Sequence, residues 1–158
     1  MIYAVCCLYF PFFYIAELLN DYSNLYQGFN GFGPAACSPI MQTQKIFRVG
    51  DSIFGVSGKI SQCLRFIEWK RDGGDPPEYF EEGDVEVLEL TAAGAIYWYG
   101  DWLVPVVVRE EYFAIGTGAP FALGAMRAGA TVERAIEIAA LYDESTGPEF
   151  DVFVRGRE

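Results

Sequence analysis

From Lys45 onward the chain is cut by Gly, Pro and acidic residues into apolar runs of strand length, and only three stretches switch to helical spacing; this order of periods is the strongest constraint on the fold. KIFRV and SIFGVSG flank Gly50-Asp51, which suits a tight turn between antiparallel strands. KISQCLRFIEWKR then puts Ile60, Cys63, Leu64 and Ile67 at helical spacing, with Lys70 and Arg71 in a last turn before Gly73-Gly74. After the loop DGGDPPEYFEEGD come VEVLELTA, AIYWYG, LVPVVV and EYFAIGTG, spaced as an antiparallel meander. Pro105 marks its strand as an edge or a bulge. PFALGAMRAG and TVERAIEIAALYD read as two helices split at Gly129, the second with Thr131 as N-cap and Glu133 in its first turn. FDVFVR closes as a strand.

Strands, helix, strands, two helices and a strand make an α+β layered fold, with sheets between helical layers. The expectation is one sheet containing residues 45–57 and a second built largely from 85–118, stacked between helices over 59–71 and 120–142. Phe47, Phe54, Tyr97, Tyr99 and Phe113 supply apolar faces to these layers. The reading divides the chain into an apolar segment, 1–33, and one domain, 34–158.

Composition limits the chemistry. A formal net charge of −11 opposes non-specific binding to nucleic acid, which needs Lys and Arg to neutralise phosphates. With no histidine in 158 residues, Ser-His-Asp and Cys-His activation are excluded, together with imidazole zinc sites. Cys6, Cys7, Cys37 and Cys63 form no CxxC pair, and the first two are adjacent; a reducing cytoplasm is the expected setting. MIYAVCCLYFPFFYIA carries no charge, yet Pro11 interrupts it and no Lys or Arg occurs before Lys45. A bilayer span needs roughly 20 apolar residues and basic flanks, so the segment ranks first as a divergent extension, then as a buried or oligomer-facing helix, and last as a membrane anchor.

Three motifs, QKIFRVGDSIFGVSG, YFAIGTGAPFALGAMRAGATVERAIEIA and YDESTGPEFDV, in this order and spacing resemble the proteasome β-subunit and heat-shock-locus V peptidase family, especially its short phage and bacterial members. The resemblance covers Lys45 to Arg155 and implies the four-layer αββα sandwich of N-terminal nucleophile hydrolases. It also implies a threonine-type peptidase that needs neither histidine nor cofactor. In such enzymes a free α-amine, with an ordinary pKa of about 7.7 to 8.0, takes the proton from the hydroxyl of its own residue.

Residue by residue, Lys45 matches the catalytic lysine and Gly58 the oxyanion glycine. Asp143 and Thr146 match the Asp and Ser/Thr around the nucleophile's amine, and Thr117 falls where the family carries a Ser. Taken singly, Lys45 is a solvated strand-end lysine, Gly58 a glycine that lets the next helix start, and DESTG an ordinary turn after a helix. The front of the chain departs from the pattern. Cys37, in Ala35-Ala36-Cys37-Ser38, stands where the family has the Asp that bonds its lysine, and no Thr precedes Thr43, which is too near Lys45 to be the nucleophile. Ser23 is the hydroxyl at suitable spacing, and taken singly it reads as an ordinary loop serine rather than a masked nucleophile; Cys6 and Cys7 lie far upstream and read as buried structural thiols.

Two functions from different classes follow. One is a peptidase subunit of a homo-oligomeric ring, acting on peptides or unfolded proteins, with an ATP-dependent unfoldase as partner. The other is a catalytically inactive, proteasome-like structural or interaction subunit.

Overall fold

The structure, a computed structural model, describes residues 6–9, 14–19, 45–77, 80, 85–100, 102–143, 146 and 149–154. Among them the order is β1 (Cys6–Tyr9), β2 (Tyr14–Leu19), β3 (Ile46–Val49), β4 (Ser52–Gly58), α1 (Ile60–Asp72), β5 (Val85–Leu90), β6 (Ile96–Tyr99), β7 (Val106–Val107), β8 (Tyr112–Ile115), α2 (Ala119–Arg127), α3 (Val132–Tyr142) and β9 (Glu149–Val154).

The β3–β4 hairpin forms as its sequence implies. Phe47 pairs with Phe54 and Val49 with Ser52, and Gly50, at φ +58°, takes the first position of the two-residue turn, where a positive φ matches strand twist. The run SIFGVSG is buried from Ile53 to Ser57, as befits a strand covered on both faces. Helix α1 lays Cys63, Phe66 and Ile67, an i, i+3, i+4 set, against Phe54 and Val56 of β4 and Val85 and Val87 of β5. Leu64, which the spacing would turn inward, is instead 42% exposed on the flank of that stripe.

The sheet assignment needs a correction. Strands β5, β6 and β7 do not build the second sheet; they extend the first, in the order β3-β4-β5-β6-β7. The chain, returning after α1, pairs β5 antiparallel with β4, from Ile53 opposite Leu90 to Gly58 opposite Val85. Of the 85–118 stretch only β8 joins the other sheet, whose order is β8-β1-β2-β9. Two pieces of the apolar 1–33 segment are therefore strands, not a helix, and no helix among the described residues is long and apolar enough to cross a membrane. Pro105 immediately precedes β7, the edge strand, in keeping with its missing backbone donor.

Strand β8 serves two cores by alternation. Ala114 and Tyr112 pack with Ala119, Ala122, Met126, Ala135, Ile136 and Ala139 of α2 and α3. Ile115 and Phe113 pack with Ile53, Leu88, Leu90 and Ile96 of the five-stranded sheet. The small alanines let α2 and α3 approach each other closely, and Thr131 caps α3 by accepting from Arg134 N at 3.3 Å.

Candidate active site

Where β8 ends, Gly116 takes φ +90°, a conformation costly for side-chain-bearing residues, and turns the chain toward α2. The next residue, Thr117, donates through Oγ1 to Asp143 Oδ2 at 2.6 Å. Asp143 is the C-cap of α3, its N–H bonded to Ala139 O at 2.8 Å, so the helix end fixes where its carboxylate stands. Three residues on, Thr146 donates through Oγ1 to the same Oδ2 at 2.6 Å, and through its N–H to Asp143 O at 3.0 Å. Two hydroxyls thus converge on one carboxylate oxygen from opposite ends of the α2–α3 unit. Both are short, charge-assisted bonds. Having donated their protons, the hydroxyl oxygens keep lone pairs, so the cluster offers a set of acceptors suited to an amine or ammonium. Thr146 is 5% exposed, whereas Thr117 is open to solvent.

Lys45 lies immediately before β3, with its carbonyl accepting from Val56 N at 2.9 Å. It is 1% exposed, so it is not the solvated strand-end lysine of the isolated reading. A lysine so placed holds its charge only with polar partners. Gly58 ends β4 at φ +120°, two residues beyond Val56, so Lys45 and Gly58 share the open end of the hairpin.

Glu86 ties that end to the threonine cluster. On β5 it stands opposite Ser57 of β4, and its Oε2 accepts from Gly116 N, beside Thr117, at 2.9 Å. Sequence reasoning passes over it. The available signal is the alternation in VEVLEL: Glu86 shares the face of Leu88 and Leu90, both buried in the cluster that also holds Ile115 of the other sheet.

Ser23 lies outside the described residues, as do Cys37 and Thr43. The register shows what flanks the site on the N-terminal side. Cys6 pairs with Ile115, one residue from Gly116, and Leu19 pairs with Glu149, three residues after Thr146. Both the start of β1 and the exit of β2 therefore lie next in register to the segments that carry Thr117 and Thr146.

No family model and no curated protein matches the chain. Solved structures do. BPH of Thiobacillus denitrificans, in complex with epoxomicin, is 19% identical with a TM-score of 0.68 over 96% of this chain and 97% of that one. Eukaryotic HslV from Trypanosoma brucei is 14% identical with a TM-score of 0.67 over 96% and 97%. Anbu, the ancestral β-subunit, of Yersinia bercovieri is 8% identical with a TM-score of 0.63 over 97% and 81%. At these identities the likeness is one of fold. The chain has the fold of the proteasome-type and HslV-type peptidases, the N-terminal nucleophile hydrolase fold that its three motifs resemble.

Proposed function

We propose that this chain is a proteasome-like, N-terminal nucleophile peptidase subunit that hydrolyses peptide bonds within a homo-oligomeric ring. The observation that carries the reading is the pair of threonine hydroxyls, Thr117 and Thr146, on one oxygen of Asp143. In the proposed reaction this cluster holds the α-amine of the nucleophilic residue, which takes the proton from that residue's own hydroxyl as the oxygen attacks the peptide carbonyl. The Gly58 N–H donates to the resulting oxyanion. The amine then passes its proton to the leaving nitrogen, and water hydrolyses the acyl-enzyme. Lys45, as a nearby ammonium, lowers the pKa of the amine and the hydroxyl. Ser23, four residues past Leu19, is the hydroxyl at suitable spacing, yet freeing its amine would cut away β1 and β2, the two central strands of the β8-β1-β2-β9 sheet, so the nucleophile of the proposal is the residue that intact mass finds at the mature N-terminus.

Three hydrophobic clusters support a four-layer αββα arrangement: α1 on the five-stranded sheet, that sheet against β8, and β8 against α2 and α3. Ring assembly is supported by exposed Phe121, Leu141 and Tyr142 on the outer helices, where Phe121 and Tyr142 stack with centroids 5.6 Å apart. The Anbu complex of Pseudomonas aeruginosa is described as a helical assembly, a related mode of self-association. A cytoplasmic location and an ATP-dependent unfoldase that delivers unfolded chains complete the proposal.

A second reading, an inactive structural subunit, is favoured by one observation: Cys37 in place of the lysine-orienting Asp, with no Thr before Thr43. Fluorogenic peptide turnover and intact mass, measured together with a Lys45→Ala control, separate the two. Turnover that the control abolishes, on a chain shortened to begin at Ser or Cys, supports the peptidase. No turnover and no shortening support the structural subunit.

A further inference from the structure

Beside the candidate active site lies a cavity of about 280 Å³ whose lining, among the described residues, includes one charged side chain, Glu86. We propose that this cavity receives the side chain of a lysine or arginine residue of an extended peptide, making Glu86 a determinant of specificity. The proposal deepens the peptidase reading, and rests on it for treating the bound peptide as a substrate.

Size comes first. Clefts that enclose a whole small ligand begin at roughly 300 Å³, so this one is scaled to a single side chain. Its walls are apolar, with Val85, Val104 and Val106 among them, and suit the aliphatic stem of a long basic residue. Trp98 and Trp102 add indole faces, which attract cations. Gly100 lets Trp98 lie where it does: a Cβ there would stand 3.0 Å from Trp98 Cη2 and 3.1 Å from Cζ2. One Glu86 oxygen already accepts from Gly116 N, and a carboxylate has acceptor sites left for an ammonium or guanidinium. An acidic side chain would be repelled here, and a neutral one would leave the carboxylate facing hydrocarbon. The chain's net charge of −11 draws ligands of the same positive sign.

A second observation points to a peptide. The Nε1–H of Trp98 is buried and has no hydrogen-bond partner among the described residues. Such a donor costs free energy until an acceptor reaches it, and because it is closed to solvent a peptide carbonyl would meet it only if the Trp98 ring shifts as the side chain enters. Position agrees. Val85 is the register partner of Gly58, and Glu86 is bonded to the residue before Thr117, so a side chain seated here keeps its main chain at the site.

The test is binding, read apart from hydrolysis. Acetyl-Ala-Ala-Xaa-Ala-amide peptides with Xaa as arginine, lysine, norleucine or glutamate are titrated into the whole chain and followed by tryptophan fluorescence, two of its three tryptophans lining the cavity. The arginine and lysine peptides are expected to bind about tenfold or more tighter than the norleucine peptide, as a charge-assisted contact in a partly dry site implies. Glu86→Gln keeps an acceptor for Gly116 N and should erase the difference. Val104 is 62% exposed, so Val104→Lys should fold, and it places a competing cation at the cavity that weakens the basic peptides while sparing norleucine. If Glu86→Gln does not fold, Val104→Lys decides alone. Equal affinity for norleucine and arginine, a preference unmoved by the variants, or no binding of any peptide overturns the proposal. Basic preference without cleavage would leave the cavity assignment standing and sink the peptidase; cleavage without basic preference would do the reverse.

Discussion

Thr117 and Asp143 stand 26 positions apart in the sequence and share a hydrogen bond of 2.6 Å. Thr146, on the other side of the same carboxylate oxygen, makes the second. Hydrogen bonds to charged groups contribute about 1.5–3 kcal/mol, with the larger share expected where water cannot substitute. Because Thr146 is 5% exposed and Thr117 is exposed, a double-mutant cycle should give stronger coupling for Thr146→Val with Asp143→Ala than for Thr117→Val with Asp143→Ala. Urea denaturation of the six chains measures both. Coupling near zero in each cycle would mean that the three residues do not act as a unit.

Local order was legible in the sequence, and long-range partnership was not. The hairpin and α1 follow from a Gly turn and from apolar residues three and four apart, both local rules. The membership of β5, β6 and β7 was misread because a strand-length run names no partner; the open edge of β4 took β5 after α1 brought the chain back. Asp143 and Thr146 were readable as a motif, being three residues apart. Glu86 was hidden because VEVLEL carries glutamates on both faces: Glu86 reaches Gly116 of the other sheet, while Glu89 turns toward Lys70 of α1. Cys6 is far upstream in the count of residues, and its backbone pairs with Ile115.

Phe66 is the tightest point of the α1 core. It is 0% exposed and meets Phe54, Trp69 and Tyr99 edge-on, with centroids 6.1, 5.5 and 5.1 Å away. Phe66→Ala should lower stability by about 3–5 kcal/mol, the transfer loss plus the cavity left by a ring that its neighbours cannot refill. Phe66→Leu should cost far less. A midpoint shift in urea with unchanged slope would check this; a loss below about 1 kcal/mol would show that α1 is loosely packed on the sheet.

Gly58 combines φ +120° with the end of a buried strand. Gly58→Ala forces a Cβ into a conformation that L residues avoid, for about 1–3 kcal/mol, even before any effect on the oxyanion. Gly55 lies in the middle of the same strand without a positive φ, so its replacement by Ala tests packing alone. Stability should fall in Gly58→Ala, and peptide turnover, where present, should fall further than stability explains. Turnover kept at the wild-type level in a folded Gly58→Ala chain would count against its N–H as the oxyanion donor.

Tyr99 links α1 to the sheet through charge. Lys70 Nζ donates to its hydroxyl at 2.8 Å and lies 3.5 Å from Glu89 Oε2, the hydroxyl donates to that same oxygen, and Ser52 donates to the other at 3.0 Å. Burial first, then the hydrogen bond to Glu89 and the charges of Glu89 and Tyr97, hold the phenol well above its ordinary value of 10.0. The folded chain therefore favours the neutral phenol more than the unfolded chain does. Its contribution to stability is complete below the unfolded value and drains away as pH climbs through it toward the folded one. The expected outcome is a fall in stability setting in above pH about 10, shallower in Tyr99→Phe than in the wild type. Urea midpoints measured from pH 8 to 11 test it. Parallel curves for the two chains would show that the phenol is not held neutral by the fold.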